Sequence, residues 1–236
     1  MTRLGVITIG QAPRVDLVPE LRKWMPGVDI IERGALDGLT MQDIAALAPG
    51  VDDEMLTTRL TDGSAVILAG ARISSLLQRA ITEIECEADA VLLACTGEFP
   101  SFDHAKPLIN PARLIAFGVA ALVQSGKRVG VICPLSEQER DSVEKFQPHL
   151  PAGAEVLTEA VSPYTDSIDA LKSAAQRLAA RGAEIIALDC MGYTDSMRRA
   201  AYAASGVHVV LARSIVARLA SETLDSLPHK IPEAVQ

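Results

Sequence analysis

Two cysteines, Cys95 and Cys190, occupy matching places in two similar stretches, EADAVLLACTGEFP and GAEIIALDCMGYTD. Each stretch runs from a small or acidic lead-in through a hydrophobic strand to Cys, one residue and Gly, and then a polar or aromatic pair. A single thiol at a strand end is usually packing, because free cysteine behaves as a small hydrophobe. The paired flanks argue for more. Ligands of open α/β sheets bind beyond the carboxyl ends of the strands, so two such ends facing each other would set two thiols around one cleft. A thiolate can then remove a proton from one face of a carbon while a thiol delivers another to the opposite face, which is racemase or epimerase chemistry. One thiol is expected to be lowered from about 8.5 by a cation or helix N-terminus, enough to act as a base near neutrality. The loops carrying Gly97 and Gly192 would supply amide donors to a carbanion-like intermediate. Cys86, in a polar helical stretch, and Cys133, before Pro134, lack the pattern and read as structural.

Other residues are candidates for binding. The first strand ends in TIGQAPRVD, a loop holding Gly10, Gln11 and Arg14. It is neither a P-loop nor a GxGxxG dinucleotide loop. Arg14 is suited to grip a carboxylate bidentately, or it belongs to an ordinary turn before a helix. AGARIS repeats the arrangement at Arg72, as a second anion contact or a solvated charge at a helix start. Tyr193 follows Cys190 closely enough to orient a substrate, and Asp195 reads as a substrate contact or a helix cap. Asp103 and His104 read as surface residues. The histidines at 104, 149, 208 and 229 are scattered and no zinc spacing occurs, so neither metal nor cofactor is expected.

Short apolar runs alternate with stretches of helical period, the pattern of repeated βα units around parallel sheet. Strands are predicted at Leu4–Ile9, Val28–Glu32, Ala65–Ala69, Ala90–Ala94, Arg128–Cys133, Glu155–Glu159, Glu184–Asp189 and Val207–Leu211. Helices are predicted at about 14–24, 41–48, 72–88, 111–125, 136–146, 165–181, 194–204 and 213–226. Asn110-Pro111 marks one helix start, Ser136 with Glu139 resembles a capping box, and Gly126 and Gly182 fit positions just past helix ends. The order is suggestively two-fold, one half ending near residue 98 and the other running to about 206.

Hydrophobic residues make up 49% and charged residues 22% of the 236, enough for a packed core. A net charge of −8 with no basic stripe argues against nucleic-acid binding. The lack of an apolar run of roughly 18 residues or a signal-peptide pattern predicts a cytoplasmic protein with no membrane segment. Its cysteines are then expected to be thiols. A homodimer is compatible with the sequence.

LGVITIGQAPRVDLVPEL, LINPARLI, RGAEIIALDCMGY and ARSIVARLASE together resemble the AroM family over nearly the whole chain. ACTG and LDCMGY resemble, more distantly, the aspartate/glutamate/hydantoin racemase superfamily. That resemblance implies an α/β fold of two pseudo-symmetric Rossmann-like lobes with mainly parallel sheets. The first lobe would be residues 1–98 plus a returning 207–236, the second 99–206. It implies a cofactor-independent racemase or epimerase with Cys95 and Cys190 as acid and base and Thr96 contacting a substrate carboxylate. The substrate would be a small carboxylate-bearing molecule, an amino acid or hydantoin-like compound. Gly97 and Met191-Gly192 depart from the racemase pattern, which leaves substrate identity open. One-cysteine isomerase or decarboxylase chemistry, or small-anion binding without catalysis, fits the same scaffold.

Overall fold

Seven of the eight expected strands run in parallel in two four-stranded sheets of the same topology. A computed structural model describes residues 2–225; the end of the segment 207–236, with His229, lies outside them. In the first sheet β1 (Arg3–Thr8) is flanked by β2 (Asp29–Gly34) and β5 (Ala90–Leu93), with β6 (Leu108–Ile109) at the edge. In the second, β7 (Arg128–Cys133) is flanked by β8 (Glu155–Ala160) and β9 (Ala183–Leu188), with β10 (His208–Leu211) at the edge. Sheet membership thus departs from breaks at 98/99 and 206/207, because Leu108–Ile109 joins the first sheet and His208–Leu211 the second.

The correspondence extends to side chains. RLGVIT of β1 matches RVGVIC of β7. Arg3 pairs with Asp29 across β1 and β2, and Arg128 with Glu155 across β7 and β8. A Cβ on Gly5 would lie 3.0 Å from Ile84 of α3 (Gly70–Ile84), and one on Gly130 2.9 Å from Leu178 of α6 (Ile168–Ala180). Both glycines therefore let a helix approach the middle of its sheet closely.

Alternation along the strands divides the core. Leu4, Val6, Leu92, Val129, Val131 and Ala187 face a shared core, completed by α4 (Pro111–Ala120) and α8 (Ala212–Asp225). Ile7, Val91 and Leu93 face α3, while Ile132, Ile186 and Leu188 face α6. Helix α8 crosses from β10 to pack on α1 (Val18–Arg22) and α4. The shared core is what holds the C-terminal ends of the two sheets in one place.

Ala65–Ala69 is β4, and it lies outside both parallel sheets. It pairs antiparallel with β3 (Met55–Arg59), a strand without an apolar run of its own, around a turn at Gly63 with φ +88°. Its half-exposed pattern suits a hairpin rather than a strand covered on both faces. Asn110 caps α4 as expected, its side chain accepting from Arg113 N–H, and Gly126 and Gly182 take positive φ. Ser136 makes no capping box, bonding Glu137 beside it. The box forms instead at Thr40 and Asp43, on α2 (Met41–Ala45). Thr194, not Asp195, caps α7 (Asp195–Ser205); Asp195 pairs with Arg198 and Arg199 within the helix.

Candidate active site

A cavity of about 240 Å³ opens at the C-terminal ends of the two sheets, and both Cys95 and Cys190 line it. Each follows a central strand, β5 or β9, and each is held by the same turn. The Gly97 N–H donates to Cys95 Sγ at 3.3 Å, and the Gly192 N–H to Cys190 Sγ at 3.3 Å.

The two cysteine loops touch. Thr96 Oγ1 donates to the Asp189 carbonyl at 3.0 Å, joining the residue after one cysteine to the residue before the other. Lys145, on α5 (Glu139–Phe146), donates to the Thr96 carbonyl at 2.9 Å and forms an ion pair with the Asp189 carboxylate. Both members of that pair are buried. The Thr96 hydroxyl that a substrate carboxylate was expected to meet is engaged in this junction.

Arg14 does grip a carboxylate with two nitrogens, and that carboxylate is Asp16, at 2.8 Å on both arms. It also donates to Thr8 Oγ1 at 2.9 Å and to the Tyr164 hydroxyl of the second lobe at 3.3 Å. Burial works against the Arg14 cation, but the bonds to Asp16 and Tyr164 outweigh it and leave its pKa above the usual value. For Asp16, burial is likewise outweighed by Arg14 and the carboxyl titrates below its usual range. Each lobe thus sends one buried cation toward the other's cysteine loop. Arg213 fixes the loop after Cys190, donating twice to the Met191 carbonyl and once to that of Asp16.

The other sequence candidates lie outside the lining. Gly10 packs under the hairpin, where a Cβ would come 2.3 Å from the Arg59 carbonyl, and Gln11 Oε1 accepts from Thr61 N–H and Oγ1. Both anchor β3 and β4, so that Leu56 and Thr58 form a wall of the cavity. Arg72 is exposed and bonds Ala46 O and Asp53. Tyr193 is fully buried, its hydroxyl donating to Val161 O at 2.5 Å. Asp103 and His104 are exposed. Cys86 is exposed just past the end of α3, whereas Cys133 is buried and borders the cavity.

Glu54, Gln138, Tyr164, Lys145 and Asp189 line the cavity without having been singled out by sequence. Only Asp189 carried a local signal, a carboxylate closing an apolar strand, which calls for a buried cation. Glu54 is pushed above the usual carboxylate range, by burial and then by the Asp141 charge.

The lowered thiol expected from sequence is not found. Burial pushes Cys95 up to about 12, outweighing the Gly97 N–H and the Lys145 charge. Cys190 is raised too, by burial and by Asp189, against the Gly192 N–H and Arg14. Because the folded state keeps the proton where the unfolded chain would lose it, this contribution is intact below about pH 9 and is lost as pH climbs toward 12. Iodoacetamide at neutral pH is therefore expected to label Cys86 and spare Cys95 and Cys190. Their labelling, followed by mass spectrometry, should rise only under alkaline conditions.

Gly192 is required by its neighbour. A Cβ there would lie 2.7 Å from the Tyr164 ring and hydroxyl and 2.8 Å from Pro163, whereas a Cβ on Gly97 would meet only the tip of the Leu56 side chain, at 2.5 Å. Gly192→Ala is expected to cost about 1–3 kcal/mol in urea unfolding by forcing Tyr164 off Arg14. Gly97→Ala should cost less, since Leu56 can turn aside.

This fold is similar to that of solved glutamate and aspartate racemases and of a maleate isomerase. Glutamate racemase RacE1 from Bacillus anthracis superposes with a TM-score of 0.60 at 14% identity, covering 95% of this chain and 82% of that one. Aspartate racemase from Picrophilus torridus gives 0.59 at 11%, covering 95% of each chain. Maleate isomerase from Pseudomonas putida S16 gives 0.56 at 16%, covering 98% and 95%. At such identities the likeness is one of fold. No curated protein matches the sequence. A family model described as AroM protein matches residues 4–224, and the chain belongs to that family.

Among the described residues no cluster of His, Cys, Asp and Glu could hold a metal ion, and no helix is long and apolar enough to cross a membrane.

Proposed function

We propose that the chain is a cofactor-independent racemase or epimerase that moves a proton at one carbon between Cys95 and Cys190. The observation that carries this reading is the bond from Thr96 Oγ1 to Asp189 O, which locks the two cysteine loops together across the lobes around one cavity. Burial holds both thiols above their usual range, so one must ionise when substrate binds. Glu54 lines the same cavity and, as the carboxylate, takes the Cys95 proton and passes it back to the Cys190 thiolate once product has left. The Cys95 thiolate then takes the substrate proton while the Cys190 thiol delivers its own to the opposite face, and the reverse direction exchanges their roles. Lys145 has three N–H donors and spends two on Thr96 O and Asp189, leaving one for the charge that develops on substrate. The substrate is a small carboxylate-bearing compound of amino-acid or hydantoin type.

Single enantiomers of amino acids and 5-substituted hydantoins, incubated with the protein and resolved by chiral chromatography, test this directly. Appearance of the opposite enantiomer of at least one compound is the expected result. Retention of configuration by all of them would count against it. One observation favours a second reading, in which a single cysteine serves an isomerase or decarboxylase. Cys95 is half-buried whereas Cys190 is buried and sits beside a carboxylate, so the two are not equivalent. That chemistry should survive loss of Cys190. The raised thiols also suit a non-catalytic small-anion binder, for which serine at both positions would leave binding unchanged.

A further inference from the structure

The cavity is lined by five carboxylate residues, Glu54, Glu98, Asp141, Glu144 and Asp189, against two cations. Both cations already have a carboxylate partner, Arg14 in Asp16 and Lys145 in Asp189, and Lys145 keeps only one N–H free. Three buried side-chain polar atoms among the described residues have no hydrogen-bond partner: Thr58 Oγ1, Gln138 Oε1 and Asp189 Oδ1. All three belong to residues that line this cavity. Thr58 and Asp189 are 1% and 4% exposed, so bulk water does not satisfy them. Gln138 Nε2 donates to Met55 O at 2.7 Å, which fixes the amide with its oxygen as the free atom. Two of the three atoms can only accept, and the hydroxyl can do either.

Buried acceptors without donors are costly, and a ligand that supplies the donors recovers that cost on binding. A ligand carrying a second carboxylate would instead meet like charge and further unpaired acceptors. We infer that the cavity selects a small substrate rich in N–H donors, a zwitterionic, amide or ureido compound, and turns away dicarboxylates. This rests on the cavity being the substrate site proposed above. It narrows the class set by sequence, since a carboxylate alone does not answer the free acceptors at Gln138 and Asp189.

Calorimetric titration of the full chain with alaninamide, N-carbamoylalanine and 5-methylhydantoin, beside aspartate and malonate, is the test. At least one N–H-bearing probe is expected to bind about tenfold more tightly than either dicarboxylate. Gln138→Met, which removes one free acceptor at a half-buried position, should weaken that probe about tenfold. The Glu54→Gln, Asp141→Asn double variant should narrow the gap by admitting dicarboxylates. Equal or tighter binding of aspartate or malonate, no binding of any N–H-bearing probe, or an unchanged affinity in Gln138→Met would overturn the inference. Hydrogen exchange on the bound probes separates it from the reading it rests on. Selective binding without exchange sinks the proton transfer and leaves the selectivity standing, whereas exchange on aspartate without preference does the reverse.

Discussion

Serine in place of either Cys95 or Cys190 is expected to lower turnover by roughly 10²–10⁴-fold, the range that one positioned acid or base contributes. The two thiols line one cavity from different lobes, each under an equivalent glycine N–H. In the proposed mechanism neither can stand in for the other, because each would serve its own side of the substrate carbon. A hydroxyl keeps the size and the hydrogen-bond acceptor but gives up its proton far less readily. The loss should therefore fall on the rate of the chemical step, with binding of an unreactive N–H-bearing ligand little altered. Serine at Cys133 is the internal comparison. That residue borders the cavity but donates to Leu135 O at 3.3 Å and has no glycine N–H on its sulfur, so turnover should be near that of the parent.

Lys145→Met is expected to have the largest effect on stability, a loss of about 3–5 kcal/mol in urea unfolding, since it strands the Asp189 carboxylate in the interior. Lys145 and Asp189 are 8% and 3% exposed at the side chain, and Asp189 Oδ1 already lacks a partner. Adding Asp189→Asn should restore most of the loss, because a neutral amide needs no counter-charge. The double variant should nonetheless remain slow. Lys145 also holds the Thr96 carbonyl, and without it the junction between the cysteine loops rests on one bond from Thr96 Oγ1. Stability that recovers while turnover does not would mark Lys145 as a positioning residue as well as a structural one.

Much of this was readable from the chain because apolar runs and turn residues act locally. The β1, β5, β7 and β9 runs, covered on both faces, are nearly continuous in Val, Ile, Leu and Ala, and each is closed by a change of residue type that marks its end. Cys95 and Cys190 stood out for that reason. The hairpin did not, because MLTTR alternates weakly and its partner AVILA resembles any buried strand. What set it apart was the antiparallel partner, a long-range fact.

The polar half of the site was hidden for a related reason. Lys145 lies in ERDSVEKF, which reads as a solvated helix until packing turns that one ammonium inward. Arg14 was picked out for its chemistry, but its partner Asp16 stands two residues away, inside the stretch 14–24 expected to be helical. The thiol pKa values followed burial, which composition cannot supply. One overlooked signal lay in plain view: RLGVIT and RVGVIC repeat the first strand of each half. Together with the two cysteine segments they fix the two-fold relation over both sheets.

The two-thiol account is tested most directly by where solvent hydrogen appears early in turnover. A single enantiomer that the protein converts should be incubated in heavy water and both enantiomers recovered before appreciable conversion. Thiols exchange with solvent, so the delivering cysteine carries deuterium while the accepting one has just taken protium from the substrate. Deuterium is expected in the newly formed enantiomer and to be scarce in the recovered starting one, from either direction. Equal deuterium in both would mean one exchanging group serving both faces, and would contradict a carbon held between Cys95 and Cys190.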